Sequence, residues 1–497
     1  MAVPLVCMTL TGKTLEENAK IVQKYEKFCD VVELRADYLN EEELLQVRHF
    51  PSLISKPCIL TIRRDTDGGC WTGSDFSRTN IFGRALSFAN QDKRRNFAYV
   101  DFEEDYHIPS IQDAAMAFGV RIIRSCHNMT EPISNLRKHC DEMRKTGYEI
   151  PKIAFMPKSL SDVVNLFHEG QKMTSYDHIL CAMGPEGFPS RLLAALSNSF
   201  LTYTSPEETS SNTNAIGHID PVTLHELYNF KSISKETNLF GITGWPLAKT
   251  SSPQIHNLGY HHHNMNSVYI PVRSQLISEA LNFAEQLDMK GLSVTIPFKE
   301  SVLYYLHEQS PEVMEIGACN TIVRKNYKWI GYNTDCTGFE RALLEFIGKV
   351  KTKKMKVAII GAGGAAKAIA YTVKKLGMRA CIFNRTLEHA QKMAERFDFE
   401  YASLDNYDLR VLDEYSQLII QTTSVGMNSD LSSSKENDPL YYYKFRGDEM
   451  LFDIIYTPAT TPIMRRAAAA GCKVCNGYKM LEYQAYEQFK LFTGEDY

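Results

Sequence analysis

Lys152 stands before an apolar run, Ile153-Ala154-Phe155-Met156, and His127 ends another at Ser125-Cys126-His127. A lysine among apolar neighbours can have a lowered pKa and add to a ketone as a Schiff base, and an imidazole can carry protons for the adduct. A second lysine closes Ser293-Val294-Thr295-Ile296-Pro297-Phe298-Lys299, with Asn320-Thr321 and Asn333-Thr334-Asp335 after it and the glycine-rich turn Gly361-Ala362-Gly363-Gly364-Ala365 beyond. The two groups are far apart and suit different chemistry, so the chain reads as two enzymes in series.

Positioning two such groups takes more than one core. At 497 residues the chain is expected to hold two to four domains. An apolar fraction of 44%, a charged fraction of 23% and a net charge of -4 describe an ordinary globular protein. No basic arm, base-stacking motif or zinc-finger spacing points to nucleic acid, and no partner beyond small molecules is implied. A monomer is compatible with these features, and no membrane association is expected. The start, Met1-Ala2-Val3-Pro4-Leu5, enters a strand-like run with no Arg/Ser-rich presequence and no charged leader, so a cytoplasmic location is expected.

The 12 cysteines are scattered through apolar segments and read as reduced thiols. Cys472-Lys473-Val474-Cys475 has redox or metal spacing, but no second pair accompanies it. Consecutive His261, His262 and His263 point in different directions on any regular element, so they read as a solvated surface turn.

Up to about residue 205, apolar runs recur with helix-length polar intervals: Pro4–Leu10, Val31–Arg35, Cys58–Arg63, Phe97–Glu103, Val120–Cys126, Pro151–Met156, His178–Met183 and Ser199–Thr204. Eight such runs predict a closed parallel (β/α)8 barrel, with an open doubly wound sheet as the alternative. Glu33, Arg35, Arg63, Glu103 and His127 fall at or near strand C-terminal ends, where a barrel builds its site. Lys152 lies near the start of its run, so either the strand begins earlier or the lysine sits deeper.

Glu33-Leu34-Arg35-x-Asp37, Arg63-x-x-x-Asp67-Gly68-Gly69, Tyr99-Val100-Asp101, Ser125-x-His127, Lys152-Ile153-Ala154 and Met183-Gly184-x-x-Gly187-x-x-Ser190-Arg191 resemble, in order, the signature of Schiff-base (type I) 3-dehydroquinate dehydratases. The resemblance implies that Lys152 condenses with the C3 ketone and His127 moves the protons. It implies that Arg191 holds the substrate carboxylate, with Glu33, Arg35 and Arg63 on the hydroxyl and ketone end. Asp67 replaces the family's usual glutamate and is one methylene shorter, so its contact to His127 is expected to be stretched. The closing loop aligns as Asn214-Ala215-Ile216-Gly217-His218, with Asn214 and His218 in place of the usual Ser and Gln. Both can still hydrogen-bond, which suggests an altered lid over a retained site.

Residues 206 to about 237 are rich in Ser, Thr, Asn and Glu, as expected of a lid loop leading into a connection, with the boundary near 235. Further on, Lys356–Ile360 reads as a strand, Gly361, Ala362, Gly363, Gly364 and Ala365 as a tight turn, and Lys367–Leu376 as a helix whose amides suit a pyrophosphate. The next strand ends in Asn384-Arg385-Thr386, where an NAD site usually carries an acid. An arginine there favours a 2′-phosphate, hence NADP.

Gly244-x-Pro246-x-x-x-Thr250-x-Ser252-Pro253, Val294-Thr295-Ile296-Pro297-x-Lys299, Gly317-Ala318-x-Asn320-Thr321, Gly331-Tyr332-Asn333-Thr334-Asp335, Thr422-Thr423-Ser424-Val425-Gly426-Met427, Asp453-x-x-Tyr456-x-Pro458 and Gly477-x-x-Met480-Leu481-x-x-Gln484-Ala485 resemble the shikimate dehydrogenases. That resemblance implies Lys299 and Asp335 as the proton-donating pair, Thr250, Ser252 and Tyr456 around the carboxylate, and Thr295, Asn320 and Gln484 on the ring hydroxyls. It places Gly426 and Met427 at the cofactor. Thr250 stands for the family's first serine, and Phe298 replaces a histidine often found before the lysine.

Together these resemblances imply a dehydratase barrel over 1–234, a substrate-binding domain over 235–345 completed by 463–497, and a Rossmann NADP domain over 346–462. The products expected are 3-dehydroshikimate from 3-dehydroquinate and then shikimate, with no metal in either step. The alternatives are a shikimate or quinate dehydrogenase with an impaired barrel, and an NADP-binding sensor without turnover.

Overall fold

The computed structural model describes residues 3–86, 92–212, 219–247, 250–404, 409–427 and 433–497. Its contacts divide the chain into two units, Met1–Gly241 with Tyr260–Met289, and Ile242–Gly259 with Lys290–Tyr497.

In the first unit, strands β1 (Leu5–Leu10), β2 (Val31–Arg35), β3 (Cys58–Thr61), β4 (Tyr99–Glu103), β5 (Arg121–Asn128), β6 (Ile150–Phe155), β7 (Ile179–Ala182) and β8 (Leu201–Thr204) follow the eight apolar runs. They pair in parallel in the order β7-β6-β5-β4-β3-β2-β1-β8. The pairing of β1 with β8 bends the sheet into a barrel and excludes the open doubly wound alternative. The last seam is narrow: Phe200 N donates to His178 O at 2.7 Å, and Leu180 N donates to Ser199 Oγ at 3.3 Å.

Because side chains alternate across a strand, the interior is read in layers. Cys7, Val31, Ile59, Ile123, Ile150, Ile179 and Leu201 form an apolar floor. Two residues further along the same strands stand Thr9, Glu33, Thr61, Ser125 and Lys152, all buried, and Asp101 joins them from β4. The barrel therefore changes from hydrocarbon to charge within one pleat. β6 begins at Ile150, so Lys152 is its third residue and lies inside the barrel. β5 runs to Asn128, so His127 belongs to the strand and does not follow it.

The polar stretch after β8 is less open than its composition suggests. Glu207–Asn212 is a 3-10 turn, Pro221–Glu226 a helix capped by the Asp220 side chain on Val222 N and Thr223 N, and Phe230–Ser232 another 3-10 turn. Lys231 Nζ donates to Asp30 Oδ2 at 2.5 Å and to Pro4 O at 3.0 Å, while Tyr228 and Phe230 are buried. The polar residues here cap and tie short helices, a use that composition does not distinguish from a loop. Asn214 and His218 lie outside the described residues.

β9 (Asn238–Gly244) begins in the first unit and ends in the second; β10 (Ser267–Arg273) and the helix Ile277–Gln286 belong to the first, where Phe283 meets Phe167 edge-on at 6.4 Å. The second unit continues with β11 (Gly291–Val294), β12 (Glu308–Gln309), β13 (Thr321–Lys325) and β14 (Lys328–Tyr332). β13 is antiparallel to both β11 and β14.

A second sheet follows: β15 (Lys356–Ile360), β16 (Arg379–Asn384), β17 (Glu400–Ser403), β18 (Leu418–Gln421), β19 (Met450–Asp453) and β20 (Lys473–Cys475). All its pairings are parallel, in the order β17-β16-β15-β18-β19-β20. That is the doubly wound dinucleotide order, with its switch point between β15 and β18. The final helix Tyr478–Thr493 packs on Thr334–Ile347 at Gly338, where a Cβ would stand 2.7 Å from Gln484 Cβ and 2.8 Å from Met480 O. Only glycine permits this approach, which brings Gln484 to the start of the partner helix. Among the described residues no helix is long and apolar enough to cross a membrane.

Candidate active sites

The barrel mouth gathers Glu33, Arg35, Arg63, Asp67, His127, Lys152 and Arg191 around one cavity. Lys152 Nζ lies 3.0 Å from Asp101 Oδ2, 3.8 Å from Glu33 Oε1 and 4.3 Å from the Tyr203 ring centre. Ile153 and Phe155 lie on the other face of β6 and only Ala154 shares the cavity with Lys152, so the amine meets carboxylates and an aromatic ring and not an aliphatic shell. Arg63 secures the same group, with NH2 2.8 Å from Asp101 Oδ1 and NH1 2.8 Å from Ser125 Oγ. Arg63, Lys152 and a hydrogen bond from Ser125 hold the Asp101 carboxyl far below the usual range against the opposing effect of its burial. Glu33 is fixed by Thr9 Oγ1 at 3.1 Å and Thr61 Oγ1 at 2.9 Å.

Asp101 and Tyr203 have no site role in the sequence reading. Asp101 carried a signal: Asp and Glu two apart in Tyr99-Val100-Asp101-Phe102-Glu103 must share a face of an otherwise apolar strand. Tyr203 became visible only through the register Cys7↔Tyr203, which closes the barrel.

Arg35 is held in a two-point pair by Asp37, at 3.0 and 2.7 Å. Arg191, 3% exposed on the helix Gly184–Leu192, has no carboxylate partner among the described residues, and its Nε lacks any hydrogen bond. A buried guanidinium left unpaired is costly, and an anionic ligand at the cavity would offset that cost. Asp67, expected to reach toward His127, instead accepts from Arg64 Nε at 2.7 Å and from Thr66 Oγ1 at 3.1 Å. His127 Nδ1 is buried without a partner. The short carboxylate has been captured by its own turn.

Burial, with Arg63 and Lys152 alongside, holds the His127 imidazole well below its ordinary pKa of 6.5. A base must be neutral to accept a proton, and this one stays neutral where an exposed histidine would already be charged. Dehydration measured as kcat/KM against pH should therefore show no imidazole limb near 6.5, only loss at more acid pH. An acid limb centred on the ordinary value would contradict the site.

In the second unit Lys299 Nζ lies 2.5 Å from Asp335 Oδ2, while Asn320 Nδ2 donates to Asp335 Oδ1 and Thr334 Oγ1 at 2.9 Å each and to Gln484 Oε1 at 3.3 Å. Asp335 opens the helix Thr334–Ile347, capped by Asn333, so the motif's spacing puts a carboxylate in the first turn, where the helix dipole favours its charge. Thr334 and Thr321 hold the Asn320 amide, at 2.8 Å from Thr334 N and 2.9 Å from Thr321 Oγ1. Gln488, absent from the sequence reading, donates to Thr321 Oγ1 at 2.8 Å.

Thr250 Oγ1 and Ser252 Oγ are 3.1 Å apart, so the substituted threonine keeps the hydroxyl pair. Thr295 N donates to Thr243 O at 3.0 Å, beside Gly244. Tyr456, half-buried after β19, makes no side-chain hydrogen bond among the described residues.

The dinucleotide loop sits where β15 ends. Gly361 has φ +110°, and a Cβ there would meet Thr422 Oγ1 at 2.6 Å; a Cβ at Gly363 would meet nothing within 4 Å. The first glycine is required by the chain, and the second leaves open space before Gly364 and Ala365, which begin the helix Gly364–Lys375. Arg385 and Thr386 are exposed past β16, with Asn384 Nδ2 on Thr386 O at 2.8 Å, and Arg385 forms no ion pair among the described residues. Gly426, at φ +105°, and Met427 follow β18. These residues thus lie at the C-terminal ends of β15, β16 and β18, and they fit an NADP dinucleotide. A Cβ at Gly364 would be 3.4 Å from Lys299 Cβ, so the lysine borders this loop.

The remaining sequence signals have plainer roles. Cys472 is buried with Sγ on Glu449 Oε2 at 3.3 Å, and Cys475 Sγ bonds Asn476 O. Of the three histidines read as a surface turn, His261 and His262 are the exposed end of the helix Ser252–His262, and His263 begins the turn that follows it.

Residues 6–235 match the family model of type I 3-dehydroquinase, 242–322 the shikimate dehydrogenase substrate binding domain, and 343–454 shikimate/quinate 5-dehydrogenase. The chain is 31% identical over 516 residues to a bifunctional 3-dehydroquinate dehydratase/shikimate dehydrogenase, chloroplastic, of Arabidopsis thaliana, covering 99% of this chain and 82% of that protein. A shikimate biosynthesis protein AroDE of Chlamydia pneumoniae is 27% identical over 98% of this chain and 95% of its own length. A shikimate dehydrogenase (NADP(+)) of Pyrococcus furiosus is 36% identical over 265 residues, 53% of this chain and 93% of that protein.

Proposed function

The chain belongs to the family of bifunctional 3-dehydroquinate dehydratases/shikimate dehydrogenases, and on that premise we propose how its own residues perform the two reactions. It dehydrates 3-dehydroquinate to 3-dehydroshikimate in the barrel and reduces that product to shikimate in the second unit. Support comes above all from the pairing, on one chain, of Lys152 beside His127 and unpaired Arg191 with Lys299–Asp335 beside the dinucleotide loop.

In the barrel, Lys152 Nζ attacks the C3 ketone and water leaves, giving an iminium. Asp101 and Glu33 stabilise the positive nitrogen at 3.0 and 3.8 Å, as they stabilise the ammonium beforehand. The iminium draws electrons from the adjacent C–H bond, and neutral His127 takes the C2 proton. The same imidazole returns a proton to the departing C1 hydroxyl, which leaves as water, and hydrolysis frees Lys152. Arg191 binds the substrate carboxylate, and Arg35, Arg63 and Glu33 face its hydroxyl and ketone end.

In the second unit NADPH, when bound, supplies the hydride that reduces the C3 ketone. Lys299 donates the proton to the forming alkoxide, and Asp335 holds the ammonium in place and favours its charge. Asn320, Gln484 and Thr295 bind ring hydroxyls, and Thr250, Ser252 and Tyr456 the carboxylate. A pocket so furnished rejects analogues lacking a hydroxyl, because its buried partners would be left unpaired. We divide the chain at about residues 234 and 345; of the stretch 463–497 expected to complete the substrate-binding domain, the helix from Pro462 and β20 stay with the dinucleotide sheet, and only the helix Tyr478–Thr493 brings Gln484 to the substrate residues.

Arg385 is assigned to the 2′-phosphate. Arg385→Ala should weaken NADP⁺ far more than NAD⁺ in KM measurements with shikimate, and an unchanged preference would refute the assignment. All 12 cysteines are free, which favours a reducing compartment, here read as the cytosol. Incubating the full chain with 3-dehydroquinate and NADPH tests the whole proposal: enone absorbance and NADPH consumption should both appear, and the loss of either would leave one activity unsupported.

A further inference from the structure

Consecutive residues of a strand point to opposite faces, so His127 faces the barrel interior and Cys126 the helical layer. There Cys126 Sγ, a Glu104 carboxylate oxygen and a His139 ring nitrogen lie within 4.8 Å of one another. Glu104 follows β4, Cys126 is on β5 and His139 is on the helix Leu136–Met143, so three separate elements converge. His139 Nε2 and Glu104 Oε2 are 2.6 Å apart, and their side chains are 27% and 41% exposed, which leaves an approach from solvent.

We propose that Cys126, Glu104 and His139 form a binding site for a divalent metal of the zinc class, separate from both catalytic centres. One thiolate, one imidazole and one carboxylate are the borderline-soft donor set that zinc and cobalt take in tetrahedral sites, with bonds of about 2.0 Å to N and O and about 2.3 Å to S. Such bonds place ligand atoms roughly 3.3–3.5 Å apart. The histidine–carboxylate contact must open slightly and the thiol must close in, adjustments that the partly exposed Glu104 and His139 side chains can make by rotation. A fourth position remains for water. Burial and the Glu104 carboxylate push the Cys126 thiol pKa up, so without metal it keeps its proton. Forming the metal–sulfur bond must therefore release that proton to solvent. The metal would tie β4, β5 and the helix together behind the strand that carries His127.

The test uses full-length protein stripped by chelator and titrated with Co²⁺. A thiolate-to-cobalt charge-transfer band should grow to saturation, and Zn²⁺ should abolish it by displacing the cobalt. Cys126→Ser should remove the band. His139→Ala should weaken binding by at least about 10²-fold, since even outer partners of metal ligands cost 10–100-fold when lost. Cys70→Ser, at the exposed thiol, should leave the band unchanged. Dehydration of 3-dehydroquinate, the barrel's own reaction, reports an intact fold in each variant. A wild-type protein active in that assay but silent with Co²⁺ would overturn the site, and so would a band that survives Cys126→Ser or vanishes with Cys70→Ser.

Discussion

Lys152→Ala should abolish dehydration of 3-dehydroquinate and its covalent capture by borohydride, while the same preparation still oxidises shikimate. The imine requires only the amine and a carbonyl, so reduction in the presence of 3-dehydroquinate or 3-dehydroshikimate should add ligand mass to Lys152 in the wild type, however slow its turnover. Removing an enzyme's nucleophile costs on the scale of about 10⁶ in kcat, which takes this reaction below detection. The difficulty is that Lys152 also neutralises Asp101 at 3.0 Å. Breaking a buried pair costs about 3–5 kcal/mol, enough to unfold a marginal domain. Arg63 remains on Asp101 at 2.8 Å and limits that damage. Lys152→Arg separates the two effects: it keeps the charge, but a guanidinium does not deprotonate to attack a ketone. Both variants should lose adduct and turnover, the arginine variant with a smaller change in Tm. A wild type that yields no adduct while its dehydrogenase is active would reduce the barrel to an impaired one.

The strands of the barrel were legible because each is a short apolar run between helix-length intervals, and the parallel order follows from that alternation. The environment of Lys152 was not legible. Its sequence neighbours Ile153 and Phe155 suggest hydrocarbon, but they lie on the other face of β6, and what meets the amine comes from β4, β2 and β8. Long-range register is what sequence periodicity lacks, and Tyr203 is its consequence. The capture of Asp67 by Arg64 is a different case: the missing methylene was visible, but the competing cation one turn away had no evident role. In the second unit the site was nearly all legible, because Asn333-Thr334-Asp335 and the glycine loop are local motifs whose geometry comes with their spacing. Gln488 was missed because its partners Ser293 and Thr321 are brought to it only by the return of the last helix.

Lys299→Met should lower kcat for shikimate oxidation by at least about 10²-fold, the scale of a lost acid–base group, with dehydration of 3-dehydroquinate unchanged. Methionine matches the length of lysine without its proton, so packing at the border of Gly364 is kept. Asp335 retains Asn320 Nδ2 at 2.9 Å and is not left unpartnered. Asp335→Asn approaches the same pair from the other side: the ammonium loses the carboxylate 2.5 Å away, and the amide can no longer favour its charge. Substrate contacts from Asn320, Gln484 and the Thr250–Ser252 pair are untouched in Lys299→Met, so its loss should fall on kcat with little change in KM. A rise in KM at unchanged kcat would make Lys299 a binding residue and move proton donation elsewhere. Because the two lysines lie in separate compact units, the KM values for shikimate and NADP⁺ report the fold of the second unit: a fall in kcat at unchanged KM assigns the proton transfer to Lys299 and Asp335, and a parallel fall in both activities means unfolding of the whole chain.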